Sequence, residues 1–145
     1  MIRRVVVAFD FSDPSRRALA YVLDMGLSAD ATVDVVTVVP DKDADAAIGS
    51  LPIGEVPGER DLHLRSLHDQ LEHELLERRK EAGPRLMAHA LRGTPEKALL
   101  ALAKHVSADM VVVGMSEKTL FEKLFAGSVS RELLTQHRFP ILLVP

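Results

Sequence analysis

Apolar and polar positions divide this chain into short β-branched runs and longer segments of helical period. Residues 3 to 9, RRVVVAF, form a continuous run of the kind that makes a strand buried on both faces. Asp13-Pro14 then predicts a helix start, with Asp13 capping the free N–H groups and Pro14 in the first helical position. Leu19, Val22, Leu23 and Gly26 follow at helical spacing, and Gly26 suits the end of that helix. TVDVVTVV, 32 to 39, reads as a second strand. Leu64, Leu67, Leu71 and Leu75 share one face of a long amphipathic helix over 61 to 81, with charges of alternating sign elsewhere. RLMAHAL, 85 to 91, is a weaker third strand. Thr94-Pro95 repeats the cap-then-proline signal, and Leu99, Leu102, Ala103 and Val106 form the buried face of the next helix. DMVVVG, 109 to 114, is a fourth strand. Val129, Leu133 and Leu134 define a last helix, which Pro140 ends before a fifth strand, ILLV.

This alternation predicts an α/β fold, a five-stranded parallel open sheet with helices on both faces. The 145 residues fit a single domain, 1 to 145, and 47% apolar residues can bury a core without disulfides or metal. No internal repeat or domain linker breaks the chain. From Pro40 to Arg60 the periodicity is lost in PDKDADAAIGSLPIGEVPGER, which is expected to be a flexible excursion. Ligands of such sheets sit at the carboxyl ends of the strands where the strand order reverses, which directs attention to Asp10, Val38 and Gly114.

Charge and composition narrow the function. Lys and Arg number 18 against 21 Asp and Glu, and the pI is near 6.1, so nothing electrostatic calls for nucleic acid. Aromatic residues at 4% supply no base-stacking platform. Absence of cysteine excludes disulfides and thiol chemistry and fits a reducing compartment. Asp10 stops the apolar run behind Arg3 and Arg4 too early for a signal peptide, and no run approaches the roughly 20 apolar residues that span a bilayer. A soluble, cytoplasmic protein is therefore expected.

The densest chemical signal lies in VVVGMSEKTLFEKLFAGSVSRELL, 111 to 134, where two glycines bracket a loop and the second opens a helix. Glycine lets backbone approach a ligand closely, and a helix N-terminus presents unpaired N–H groups to an anion. Gly127, Ser128 and Val129 read as a phosphate cradle with the Ser128 hydroxyl as an extra donor; alternatively Gly127 ends a turn and Ser128 or Gly127 caps the helix. In this stretch the sequence resembles the universal stress proteins, whose nucleotide-binding members carry G-x2-G-x9-G-(S/T) after the fourth strand. Here the frame reads Gly114, two residues, Glu117, nine residues, Gly127-Ser128, so the middle glycine is missing. VVVAFDFSDPSRRAL, RGTPEKALLALAKHVSADMVVVG and GSVSRELLTQHRFPILLVP extend the resemblance over nearly the whole chain.

The resemblance implies a Rossmann-like fold and a nucleotide site. Asp10 corresponds to the aspartate that contacts ribose or base, and Val38 to the backbone that meets adenine. Gly127, Ser128 and Val129 fall where phosphates are held, and Gly114 where the glycine loop begins. On its residues alone Asp10 is equally a turn residue satisfying nearby amides, and Val38 ordinary core. Glu117 would set its carboxylate against phosphate, at most about 4 kcal/mol per unit pair at about 4 Å for an effective dielectric near 20, or on the order of a thousandfold in affinity, and much less if Glu117 points to solvent or pairs with Lys118. ATP binding is accordingly expected to be weak or absent.

The remaining constellations are weaker. G-x-S-x-G, a Walker A lysine and an early G-x-G-x-x-G are all absent, so neither a hydrolase nor another enzyme is expected. His63, His68 and His73 recur every five residues, which scatters them around a helix, and no metal is expected. Leu120, Phe121, Leu124 and Phe125 form a short apolar stripe, read as core or lid packing or as a patch for an unidentified protein partner. An apolar terminal strand needs a cover or a mate. Universal stress proteins commonly dimerise through that strand, so Ile141, Leu142, Leu143 and Val144 are the expected homodimer interface. The leading expectation is a non-catalytic, homodimeric stress-response module with a degenerate ATP site; the rivals are an ATP-dependent switch and a plain interaction module.

Overall fold

The computed structural model describes residues 1–40, 57–81, 83–115, 122 and 139–145. Its elements run β1 (Arg4–Ala8), α1 (Asp13–Leu23), β2 (Thr32–Pro40), α2 (Pro57–Glu81), β3 (Arg85–Gly93), α3 (Pro95–His105), β4 (Met110–Gly114) and β5 (Ile141–Val144). All five strands are parallel, in the order β3-β2-β1-β4-β5. The expected α/β architecture is therefore present, and the order reverses between β1 and β4. The last expected helix, with Val129, Leu133 and Leu134, lies outside the described residues, as do Leu120, Phe121, Leu124 and Phe125.

Continuous β-branched runs suit β1 and β4 because both faces of each strand are covered. Val5 and Val7 face α1 and α2 together with Val33, Val35 and Val112, while Val6 and Ala8 face α3 with Val36, Val111 and Val113. Each buried valine contributes about 1.5–3 kcal/mol relative to exposure, so the central strands dominate the hydrophobic stabilisation. Leu19 and Val22 of α1 and Leu71 and Leu75 of α2 fill one core; Leu99, Leu100 and Ala103 of α3 fill the other. Leu64 and Leu67 lie on the same stripe of α2 but are only half-buried.

Two helix starts and one helix face differ from the sequence reading. Ser12, rather than Asp13, caps α1: its extended backbone (φ −82°, ψ 159°) lets its Oγ accept from the Ser15 N–H, leaving Asp13 in the first turn and Pro14 one position further on. Helix α2 begins at Pro57, inside the segment expected to be irregular, because proline's fixed φ suits a first helical position. Leu100, absent from the expected face of α3, is fully buried beside Leu99 because α3 spans several strands and its apolar stripe is wide.

Candidate functional site

The site grows from unequal strand lengths. β1 ends at Ala8, with Phe9 N–H still reaching the Val36 carbonyl at 2.8 Å, whereas β2 continues beside β3 through Pro40. Even-numbered residues of β2 turn their backbone groups toward β1, as in the 2.8 Å bond from Thr32 N–H to the Arg3 carbonyl. Val38 is the next such residue after Val36, and β1 has ended before it. Its N–H and C=O therefore point into the crevice with no mate among the described residues. Backbone groups in that position need a partner or water.

Across this crevice lies α3. Ala8, Phe9, Asp10, Val36 and Val38 from the sheet, with Pro95 and Leu99 from α3, enclose a pocket of about 170 Å³. Among the described residues its walls are apolar, and Asp10 supplies the one carboxylate. The structure thus brings Asp10 and Val38 together, as the strand-end rule requires.

Asp10 takes the turn role that its position suggested. Its Oδ1 accepts from the Ser12 N–H at 3.1 Å and from the Ser12 hydroxyl, closing a turn between β1 and α1. Its Oδ2 has no hydrogen bond among the described residues, and the side chain is exposed. One oxygen holds the turn and the other is open to a ligand. Between Asp10 and Ser12, Phe11 takes φ +63°, a left-handed conformation that is costly for a bulky residue. Its ring packs edge-on against Phe9, with centroids 5.2 Å apart, which helps to hold it there.

Gly114 lies at the end of β4 against the first turn of α1. A Cβ on Gly114 would stand 2.8 Å from the Pro14 carbonyl oxygen and 3.2 Å from the Ser15 nitrogen, so only glycine admits this approach. Glu117, Gly127, Ser128 and Val129 lie outside the described residues. Among the described residues no group of three His, Asp or Glu could hold a metal, and no helix is long and apolar enough to cross a membrane.

Sequence reading passed over one charged cluster on the pocket side of the sheet. Asp34 is fully buried two positions before Val36, where it accepts from Arg4 Nε at 2.6 Å and Nη2 at 3.0 Å, and its Oδ1 lies 2.7 Å from His89 Nε2. Burial pushes the Asp34 carboxyl up, but the His89 and Arg4 hydrogen bonds and the Arg4 charge outweigh it and leave the pKa below the usual carboxylate value. Asp109 at the start of β4 is also held below its ordinary value, because it accepts from the Arg3 and Arg4 amides at 2.8 and 2.9 Å. The available signal for Asp34 was a lone aspartate inside TVDVVTVV, a run otherwise suited to burial.

Comparison with known proteins bears on this geometry. The stress response protein NhaX of Bacillus subtilis is 28% identical over 160 residues, covering 97% of this chain and 96% of its own. A universal stress protein crystallised in complex with cAMP shares the fold at TM-score 0.59, with 24% identity, covering 99% of this chain and 96% of that one. A universal stress protein family protein from Arabidopsis thaliana with AMP bound does so at TM-score 0.58, with 19% identity and coverage of 98% and 90%. The description "Universal stress protein family" matches residues 1–145, and the chain belongs to that family.

Proposed function

We propose that this chain is a non-catalytic, homodimeric stress-response module of the cytoplasm whose crevice takes an adenosine nucleotide, and that it binds a monophosphate in preference to ATP. The observation that carries the reading is the pocket itself. It joins apolar walls for a base, the Val38 N–H and C=O, unmated among the described residues, for the base edge, and Asp10 Oδ2, likewise without a hydrogen bond among them, for ribose hydroxyls. An adenine edge offers one acceptor and one donor, which a strand residue's N–H and C=O can meet together. The cAMP and AMP complexes of two structural neighbours support this ligand class.

Discrimination against ATP comes from Glu117, which stands where the family frame has its middle glycine. Each added phosphate brings further negative charge toward that carboxylate, so the cost rises from AMP to ATP. We assign binding alone to the crevice. Dimerisation through Ile141, Leu142, Leu143 and Val144 is supported by the position of β5 at the sheet edge, with Val144 buried against the core and the other three residues half-buried.

Calorimetric titration of AMP into the wild type and into Asp10→Ala tests the assignment. A loss of about tenfold to a hundredfold in Asp10→Ala is expected, in line with one charge-assisted hydrogen bond of about 1.5–3 kcal/mol. Equal affinity in the two proteins would remove Asp10 from the site.

A further inference from the structure

Asp10 is held by a relay that starts outside the pocket. The Ser15 side chain is fully buried, donates its hydroxyl proton to the Ser12 carbonyl at 2.9 Å and accepts from the Asp10 N–H at 3.4 Å. Ser12, whose Oγ lies 3.2 Å from the Ser15 Oγ and also accepts from the Ser15 backbone N–H, in turn donates to Asp10 Oδ1. Ser15 can occupy this place only because the first turn of α1 lies directly on Gly114, where a Cβ would meet the Pro14 carbonyl at 2.8 Å and the Ser15 nitrogen at 3.2 Å. β4, α1 and the β1 end are thereby fixed to one another at the pocket rim.

We propose that Ser15 is a positioning residue for Asp10, and that Gly114 acts on the ligand through α1, by admitting the turn that carries Ser15, without touching the ligand itself. What Asp10 then meets, a ribose hydroxyl, rests on the nucleotide reading above. Fixing Oδ1 on Ser12 leaves Oδ2 as the acceptor directed at the crevice, so the relay selects for ligands with a hydroxyl to donate. A burial role for Ser15 alone would affect all ligands of the pocket alike.

The test uses AMP and its 2′,3′-dideoxy analogue as probes, titrated into wild type, Ser15→Ala and Gly114→Ala. Thermal melts establish that each variant is folded. In Ser15→Ala, affinity for AMP is expected to fall about fivefold to tenfold, while affinity for the dideoxy analogue stays at the wild-type value. Equal losses for both probes would overturn the proposal, as would no loss for either. Ligand-free crystal structures of wild type and Ser15→Ala form an independent arm: the proposal expects the Asp10 carboxylate to leave its place in the variant, and an unmoved Asp10 would contradict it. If the wild type bound neither probe, the nucleotide reading would fall, and the position of Asp10 in the ligand-free variant would still decide this relay. Should Gly114→Ala not fold, Ser15→Ala carries the test.

Discussion

Single residues carry more than one duty in this protein, and Asp34 shows the cost of getting one wrong. Its carboxylate is the common acceptor for Arg4 and His89, so truncation strands two donors on a largely dry sheet face. Breaking a buried pair by removing one partner costs about 3–5 kcal/mol; because Arg4 and His89 retain some contact with water, Asp34→Ala is expected at the lower end, about 3 kcal/mol by urea denaturation. The pH dependence has a definite sign. A carboxyl depressed in the folded state stabilises it fully above the unfolded pKa, and that contribution is lost as pH falls through the folded value. Stability should therefore drop in the acid range below the ordinary Asp pKa of 3.8, and Asp34→Ala should flatten the drop. At this scale the sequence was legible where a residue acts locally. Asp10 showed its turn role by standing shortly before the Asp13-Pro14 helix start, whereas Asp34 depends on partners about 30 and 55 positions away, a juxtaposition that only the sheet register creates.

Elements were more legible, because periodicity is a property of contiguous residues. Strand β1 was visible in RRVVVAF since burial on both faces demands an unbroken apolar run, and the stripe of α2 was visible in its leucines. What the periodicity could not show was how elements cover one another's edges. The 2.9 Å bond from Arg85 N–H to the Ala31 carbonyl turns the Leu86 backbone N–H and C=O away from β2, to the side of β3 where no strand pairs among the described residues, while the Leu86 side chain stays buried in the core. Arg79 of α2, paired with Glu72, reaches over and donates to the Leu86 carbonyl through Nε at 3.3 Å and Nη2 at 3.1 Å. A charged residue over an edge carbonyl discourages pairing with another chain. Arg79→Ala should accordingly raise the apparent mass at high concentration in static light scattering; a mass equal to that of the wild type would show that Arg79 does not guard this edge. The β5 edge is the apolar one, which gives the two edges different tasks.

For the whole molecule, that difference predicts closed association. A chain with one guarded and one apolar edge pairs once and stops, giving a two-fold dimer instead of a filament. Leu143→Lys, at a half-buried position of the β5 edge, should therefore yield a monomer, and an unchanged dimer mass in light scattering would refute the interface. The location of the candidate crevice was legible from strand alternation, since the carboxyl ends of parallel strands are fixed by the topology. Its make-up was only half legible. Asp10 and Val38 both line it, but the reason for Val38 is that β2 outruns β1, and strand lengths relative to one another are not written in either strand alone. Pro95 and Leu99, which close the pocket, read simply as a helix start and a core position.

The central claim is an adenosine site that favours monophosphates because Glu117 opposes further phosphate charge. Calorimetric titration of AMP and ATP into wild type and Glu117→Gly tests it most directly. The expected result is that wild type binds AMP more tightly than ATP, with ATP weaker than about millimolar, and that Glu117→Gly recovers ATP affinity by up to about a thousandfold. Submillimolar ATP binding by the wild type, unchanged in Glu117→Gly, would contradict the account.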